Sequence, residues 1–415
     1  MKQWLSDTLA KLNLVDSMNQ PEGFTRLSYS KEEWKAMAVF REIAEGLDLE
    51  VHQDQAGNMI AKWVPEGVSQ DLPAVAAGSH LDTVTNGGGY DGAAGILCAL
   101  AAVKHLKDNH FSPACPVEVI CFASEESARF GVSTIGSKAM SGMLDLPSLE
   151  SVTDQEGITV KEAAEERGLN WEQFRNAERS QEEIASFIEL HIEQGLRVEQ
   201  AKADYGAVTA IACPIRLLVT IEGKAGHTGT TPMGSRQDAL VASVPLIDFI
   251  SERAFELSAK SSLPIVATAS TIEVKPNVMN VIPAKAELGI DIRSVDDQLK
   301  EQLEQEILEK CREIEETRNV TISSLKLVHN PSVFLDQMVH HALVDAGRTE
   351  GFTPFTLESG AGHDVMNMAK KWPSGLIFIP CENGLSHHPD EKASLEDLLK
   401  GVLIIAAYLR KETGE

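Results

Sequence analysis

The stretch from Gly78 to Gly95 combines the residue types that bind metal ions in proteins, in the order GSHLDTVTNGGGYDGAAG. His80 and Asp82 are two positions apart, so on an extended segment both side chains point to the same face. The glycine-rich loop that follows is flexible enough to return Asp91 to the same point. The pattern indicates a metal site, although a glycine-rich turn before a capped helix would use the same residues.

Imidazole and carboxylate side chains recur after three further apolar runs of the chain. They are the pair Glu125-Glu126, His191 and His387. Each run has the length of a buried strand, and open α/β sheets place their sites where the strands end. Packing does not explain four strand ends that all carry metal-type ligands, so the distribution favours one polar centre at the edge of a sheet.

The composition is that of an ordinary globular protein, with 24% charged and 43% hydrophobic residues. A chain of 415 residues is longer than a domain with a single hydrophobic core usually is, so its length predicts two domains. The formal net charge of -25 argues against a nucleic-acid partner, because phosphate contacts need clustered Lys and Arg. We expect a cytoplasmic protein with reduced thiols, since no secretory signal, membrane span or paired cysteine spacing is visible.

The elements that would carry these residues alternate between helix and strand in the first part of the chain. Ser30 is a predicted N-cap with Glu33 at the third helical position, so a helix is expected to about Gly46. Two short strands follow within 51–64. The alternation then predicts a mostly parallel sheet with helical cover, through strand 73–77, helix 92–106, strand 117–123 and helix 136–142.

The rhythm of the pattern changes after residue 213. The order becomes strand, helix, strand, strand, helix, strand, as in a ferredoxin-like sandwich, over 216–221, 236–257, 264–274, 284–293, 295–316 and 320–327. Metal-type residues resume afterwards, so we interpret 213–328 as an inserted α+β domain and 1–212 with 329–415 as the catalytic domain. The charged segment 144–185 is expected to be helical surface, and it is assigned no site.

Six motifs occur in an order that resembles a known family: GSHLDT with Asp91, SEES at 124–127, ELHIEQG at 189–195, GHTGTTPM at 226–233, SGAGHD at 359–364 and GLSHHPDE at 384–391. Together they resemble the hydantoinase/carbamoylase subgroup of the M20 metallopeptidase family, which includes N-carbamoyl-L-amino acid hydrolases, β-ureidopropionases and allantoate amidohydrolases. The resemblance implies a zinc-peptidase-like catalytic domain with an inserted lid that also forms a homodimer. One departure is Cys213, where the subgroup more often has glycine, and it bears on substrate choice.

By this resemblance each subunit binds two divalent metal ions bridged by Asp91. His80 and His191 complete the coordination of the first ion, and Glu126 and His387 complete that of the second. Nitrogen and oxygen ligands of this kind accept Zn, Mn, Co or Ni, so the ligand set does not choose among these metals.

Two further carboxylates are implied to assist the chemistry. Asp82 would orient His80 through a hydrogen bond. Glu125 would take a proton from the attacking water and return it to the leaving nitrogen. A Glu-Glu pair is often helix surface, but this one follows an apolar run and Ser124.

Six residues match the substrate-contact positions of the subgroup: Gln194, His227, Asn280, Arg293, Gly362 and His363. An arginine offers a bidentate fork to a carboxylate, and histidine and asparagine can stabilise the oxyanion that develops at a ureido carbon. A surface ion pair of Arg293 with Asp291 or Asp296 is the alternative interpretation.

The implied activity is hydrolysis of the carbamoyl C–N bond of an N-carbamoyl-L-amino acid to amino acid, ammonia and carbon dioxide. The expected partner is thus a small ureido or carbamoyl carboxylate, with neither nucleic acid nor membrane. Allantoate amidohydrolase or β-ureidopropionase is the alternative within the class, and a metal aminopeptidase or dipeptidase is a further one. A non-catalytic binding protein of the same fold is disfavoured, because every metal-type position and Glu125 are present.

Overall fold

The computed structural model describes residues 1–414 and divides into two compact units. Unit 2 contains Ala210–Val333 and Glu358–Gly362, and unit 1 contains Met1–Thr209, Phe334–Leu357 and the chain from His363 onward. The predicted boundaries, 213 and 328, lie inside this second unit. The sequence predicts the five residues 358–362 as part of the catalytic domain, whereas in the structure they belong to unit 2, where Ala212 N–H donates to the Ser359 carbonyl at 2.8 Å.

One large sheet is centred on unit 1. Its nine strands are β1 Glu50–Gln53, β2 Met59–Trp63, β3 Ala74–His80, β4 Val117–Phe122, β5 Ile184–Ile192, β6 Tyr205–Ile211, β13 Val333–Phe334, β14 Pro354–Ser359 and β15 Ser374–Ile379. Their order is β1-β2-β4-β3-β5-β15-β6-β13, with β14 beside β6. The central strands β4, β3, β5 and β15 are parallel, and β1, β2 and β6 pair in antiparallel fashion around them. The predicted mostly parallel central sheet is confirmed.

The central strands are buried on both faces, which explains why they could be predicted. Every residue of β3, β4 and β15 is buried, and strands covered on both sides appear in a sequence as continuous apolar runs. The helices of unit 1 are α1 Lys2–Leu12, α2 Lys31–Glu45, α3 Ala93–Asp108, α4 Ile135–Met140, α5 Leu146–Leu149, α6 Val160–Glu166, α7 Arg197–Gln200, α10 Gln337–Thr349, α11 Val365–Met368 and α12 Leu395–Glu412.

Unit 2 follows the predicted order of strands and helices. Its main elements are β7 Ile215–Glu222, α8 Ala239–Lys260, β9 Val266–Lys275, β11 Lys285–Arg293, α9 Asp297–Arg318 and β12 Thr321–His329. The strands form an antiparallel sheet in the order β12-β7-β11-β9. Alternate residues of β7 and β11 are buried with α8 and α9, which produces a separate core.

Some elements differ from the sequence prediction for identifiable reasons. Helix α8 begins at Ala239 rather than near Arg236, because the Asp238 carboxylate accepts the N–H groups of Leu240 and Val241 and caps the helix. The strands β6 and β14 were missed, and so was a two-stranded sheet of β8 Gly226–His227 and β10 Val281–Ile282. Segment 144–185 is only partly helical, with short α-helices and the 3-10 turns Trp171–Ala177 and Gln181–Glu183.

Among residues 1–414, no helix is long and apolar enough to cross a membrane.

Candidate metal centre

The carboxyl ends of the four central strands bring the predicted metal ligands together. His80 is the last residue of β3, and His191 lies at the end of β5. Glu126 follows β4, and His387 lies in the loop that follows β15. Because parallel strands end at the same edge of a sheet, these residues meet there although they are far apart in sequence.

The first group consists of His80, Asp91 and His191, whose ligand atoms lie within 4.8 Å of one another. The Nε2 atom of His191 is 3.0 Å from Asp91 Oδ1, and that of His80 is 3.4 Å from the same oxygen. All three residues are buried.

The second group consists of Asp91, Glu126 and His387. The Nε2 atom of His387 is 3.4 Å from Asp91 Oδ2 and 3.3 Å from Glu126 Oε1. The two oxygens of Asp91 thus face different groups: Oδ1 the first and Oδ2 the second. This is the arrangement expected of a carboxylate that serves two cations.

The imidazole hydrogen bonds fit a metal site. Nδ1 of His191 is 2.9 Å from the Ile192 carbonyl, and Nδ1 of His80 is 3.1 Å from the Asp82 carbonyl. A carbonyl can only accept a hydrogen bond, so Nδ1 of each ring donates, and Nε2 is the atom that faces Asp91 and could bind a cation. Ligating histidines in proteins are usually held in this way.

Glycine at position 92 allows Asp91 and His80 to approach. Gly92 has φ +62°, and a Cβ atom there would lie 2.5 Å from the His80 ring. Any side chain would therefore strain the backbone and displace a member of the first group.

Asp82 is fully buried and organises more than His80. Its Oδ1 atom accepts the Glu125 N–H at 3.0 Å, and its Oδ2 atom accepts the Glu126 N–H at 2.9 Å and the Ser28 hydroxyl at 2.8 Å. The same carboxylate lies 3.3 Å from His80 Nδ1. Asp82 thus fixes the backbone of both predicted catalytic-site glutamates.

Glu125 is buried beside the first group without belonging to it. Its Oε2 atom is 3.8 Å from His80 Nε2. Burial raises the pKa of Glu125 well above its usual range, the His80 charge opposes the shift, and the neighbouring Glu126 carboxylate adds to it. A raised pKa suits a group that must both accept and donate a proton near neutral pH.

Carboxylates outnumber imidazoles in this centre. Asp82, Asp91, Glu125 and Glu126 lie around three histidines, and hydrogen bonds with Asp91 and Glu126 raise the pKa of His387 to about 10. Such an excess of negative charge favours a bound cation.

Two of the predicted substrate residues lie beside the metal-type groups in unit 1. Gln194 donates from Nε2 to Asp91 Oδ2 at 2.7 Å and to the Ser386 hydroxyl at 3.1 Å. The His363 ring centroid lies 4.5 Å from that of His191. Burial lowers the pKa of His363 well below its usual value, so this ring is neutral.

The remaining predicted substrate residues lie in unit 2. His227 pairs with Val281 across the β8–β10 sheet, and Thr228 N–H donates to the Asn280 carbonyl at 3.2 Å, so His227 and Asn280 are neighbours. Gly362 lies in the segment Glu358–Gly362 of the same unit.

Arg293 ends β11 and is engaged by three hydrogen bonds. Its Nε and Nη2 atoms donate to Asp291 at 2.7 and 3.3 Å, and its Nη1 atom donates to the Gly360 carbonyl at 2.9 Å. The ion pair with Asp291 that the alternative interpretation expected is therefore present. A guanidinium carries five N–H donors, so these bonds use three of them.

Several residues of the centre were not predicted from the sequence. Glu33 accepts the Ser124 N–H at 2.9 Å, and Ser28 bonds to Asp82. Glu391 accepts N–H groups from Tyr90 and Asp91 at 2.9 Å. The sequence marks Glu33 only as a helix-capping residue, and Glu391 stands in the GLSHHPDE motif without any periodic pattern that would mark it as buried.

Comparisons with known proteins support the motif analysis. Residues 76–411 match the family model described as Peptidase family M20/M25/M40. An N-carbamoyl-L-amino acid amidohydrolase from Geobacillus stearothermophilus is 36% identical over 95% of this chain and 95% of its own. A ureidoglycolate hydrolase from Oryza sativa subsp. japonica is 35% identical over 93% of this chain and 80% of its own.

A solved structure extends the likeness to the fold. It is an amidase of the hydantoinase/carbamoylase family from Burkholderia multivorans, with a TM-score of 0.88 and 25% identity over 100% of this chain and 98% of its own. The fold class predicted from the motifs is confirmed.

Proposed function

The chain belongs to Peptidase family M20/M25/M40 and, within it, to the hydantoinase/carbamoylase amidohydrolases, and on that premise we propose that it cleaves the carbamoyl C–N bond of N-carbamoyl-L-amino acids. Hydrolysis of that bond releases ammonia and leaves the amino acid as its N-carboxy derivative, a carbamic acid, whose decarboxylation gives the amino acid and carbon dioxide. The observation that carries this proposal is the Asp91 carboxylate shared by two potential ligand groups, with Glu125 buried beside them.

The proposed cofactor is a pair of divalent ions. His80, His191 and Asp91 Oδ1 would hold one, and Glu126, His387 and Asp91 Oδ2 would hold the other. When bound, such ions polarise a carbonyl oxygen and lower the pKa of water to about 7. Zn, Mn, Co and Ni all suit this donor set, and availability decides among them.

Glu125 is proposed as the proton carrier of the reaction. Its backbone is fixed by Asp82, so its carboxylate is held beside the first group. In the forward direction it accepts a proton from the attacking water and donates it to the nitrogen that leaves as ammonia. Its raised pKa favours the second transfer.

Six residues are proposed to recognise the substrate. We propose that His227 and Asn280 stabilise the oxyanion at the ureido carbon, while Gln194, Gly362 and His363 contact the substrate as well. Arg293 uses three of its five N–H groups in the hydrogen bonds to Asp291 and Gly360. The other two would bind the substrate carboxylate.

Arg293→Lys is expected to cost about 2 to 4 kcal/mol in kcat/KM on an N-carbamoyl-L-amino acid, because a point charge cannot reproduce the guanidinium fork. The loss should be much smaller on the corresponding amide, which lacks the carboxylate. Steady-state ammonia release on both substrates measures the difference.

Arg216 provides a matched control for this substitution. It also donates to Asp291, from Nε to Oδ2 at 2.8 Å, but it is not proposed to contact substrate. Arg216→Lys should therefore leave both substrates nearly unaffected. Equal losses on acid and amide in Arg293→Lys would assign Arg293 to the Asp291 ion pair alone.

We also propose that the protein is a homodimer assembled through unit 2. The strands at the edges of its sheet, β9 and β12, are exposed and carry Val266, Ile272, Leu325 and Leu327 at 58, 49, 59 and 54% exposure. Uncovered apolar edge strands are a liability that proteins usually cover. Light scattering at working concentration should give twice the chain mass, and a monomer mass would contradict the proposal.

A substrate panel tests the proposed specificity. Ammonia release from several N-carbamoyl-L-amino acids should exceed that from allantoate and ureidoglycolate in kcat/KM, and a dipeptide should not be cleaved. A preference for allantoate would support the proposed hydrolysis but assign a different substrate. Dipeptide cleavage without ammonia release would reject the proposed function.

A further inference from the structure

Glu391 is a buried carboxylate within an exposed loop. Glu391 is only 4% exposed, whereas the neighbouring His387, His388 and Asp390 are exposed. Its Oε1 atom accepts the N–H groups of Tyr90 and Asp91, both at 2.9 Å. Its Oε2 atom accepts the Ser386 hydroxyl at 3.0 Å and the His387 N–H at 3.2 Å. One carboxylate therefore fixes the backbone of two predicted metal ligands.

These two ligands come from distant parts of the chain, and each lies outside a strand. Asp91 follows the loop after β3, and His387 follows β15. The His387 side chain is 48% exposed, compared with 2% for His80 and His191, which are held in the ladders of β3 and β5. Its backbone also has φ +56°, an uncommon conformation for a residue other than glycine. Of the three histidines, His387 most needs an outside group to hold it.

We infer that Glu391 is a positioning residue, which holds His387 against Asp91 and thereby determines the affinity of the ion at Asp91, Glu126 and His387. The inference rests on the proposed two-ion centre. The ion at His80 and His191 retains two strand-held ligands, so it depends on Glu391 much less.

The hydrogen-bond donors around Glu391 make glutamine a sharp probe of this role. Three of the four contacts are backbone N–H groups, which cannot accept a hydrogen bond. If the glutamine amide nitrogen pointed toward Tyr90 and Asp91, it would face two N–H donors. If it points toward Ser386 instead, the Ser386 hydroxyl can turn and accept a hydrogen bond from it. Only the His387 N–H then loses its acceptor, so Glu391→Gln should act on His387.

Metal titration of the full-length, metal-free chain tests this inference. The probe is the ion among Zn²⁺, Mn²⁺, Co²⁺ and Ni²⁺ that restores the most ammonia release to the wild-type protein. Its binding to each variant is measured by calorimetry. In Glu391→Gln one of the two ions should bind as in the wild type, and the Kd of the other should rise about 10- to 100-fold.

Gly88→Ala supplies a second variant that leaves the Glu391 carboxylate chemically unchanged. A Cβ atom at Gly88 would lie 2.2 Å from Glu391 Oε1 and 2.3 Å from its Cβ, so the side chain must move. Because Oε1 also accepts the Asp91 N–H, the Kd of both ions should rise in this variant, and that of the ion at His387 should rise more.

Asp336→Asn is the matched control for a carboxylate-to-amide change. Asp336 Oδ1 accepts the N–H groups of Met338 and Val339 at 2.8 and 3.0 Å at the start of α10, and its own N–H donates to Ser374 at the opposite end of β15 from the centre. Both ion affinities should be unchanged in this variant.

The outcomes separate this inference from the proposed function. A wild-type chain that binds fewer than two ions would overturn the two-ion centre, and the inference with it. A wild-type chain with two ions and a Glu391→Gln variant with unchanged affinities would overturn the inference alone. In a third outcome, Glu391→Gln weakens the binding of both ions equally, and the metal-free variant melts at a lower temperature than the metal-free wild type. That result would show a merely structural role for Glu391 and would also overturn the inference.

Discussion

Glu125→Gln retains both metal ions and loses about 10²- to 10⁴-fold in kcat, because an amide cannot accept the proton of the attacking water. Glutamine has nearly the same size, and the backbone bond from Glu125 N–H to Asp82 does not involve the altered side chain. The fold and the metal content should therefore survive. Steady-state ammonia release and metal analysis of the same preparation measure both quantities.

The neighbouring residue provides the control. Glu126 contacts His387 in the second group, so Glu126→Gln should lose metal as well as activity. The two variants make the same chemical change at adjacent positions, and only the metal content should separate them. A metal-loaded Glu125→Gln protein with near-normal kcat would remove Glu125 from the mechanism.

Asp91→Ala should be the most damaging change of a ligand, since both ions lose a donor at once. Its Oδ1 atom faces His191 at 3.0 Å, and its Oδ2 atom faces His387 at 3.4 Å. The purified variant should contain neither ion at the concentration that saturates the wild type, and ammonia release should fall to background. Metal analysis after equilibrium dialysis measures the occupancy.

His387→Ala is the informative comparison for Asp91→Ala. It removes a donor from the second group only, so one ion should remain. If Asp91→Ala retained one ion at wild-type affinity, Asp91 would belong to a single site, and the bridging role would have to be abandoned.

The proximity of His80, Glu126, His191 and His387 could be predicted because the parallel strands are buried on both faces. Apolar runs marked β3, β4, β5 and β15, and the polar residues that follow them had to meet at one edge of the sheet. His80 and His191 were thereby placed near each other although 111 positions separate them, a proximity now seen in their 5.8 Å ring separation.

The groups that support the ligands could not be predicted in this way. Glu33, Ser28 and Glu391 act through hydrogen bonds to backbone atoms, and such bonds leave no periodic pattern in a sequence. Glu391 is buried between exposed residues of a loop, where neither strand nor helix periodicity applies. Only the three-dimensional structure reveals which carboxylate a loop N–H group reaches.

Arg293 shows how a side chain can satisfy two interpretations. The sequence suggested a substrate fork or an ion pair with Asp291, and the ion pair is present at 2.7 Å. That contact alone does not decide the role, because it leaves N–H groups unused. The strands β6 and β14 were missed for a different reason, because their apolar residues are interrupted by Gly206 and Thr209 in β6 and by Thr356 and Glu358 in β14.

The most direct test of the central claim is ammonia release from an N-carbamoyl-L-amino acid as a metal-free preparation is titrated with divalent ion. Activity should be absent without metal and should reach its plateau at two ions per chain, because both groups that share Asp91 must be filled. Undiminished ammonia release from the metal-free protein would contradict the account.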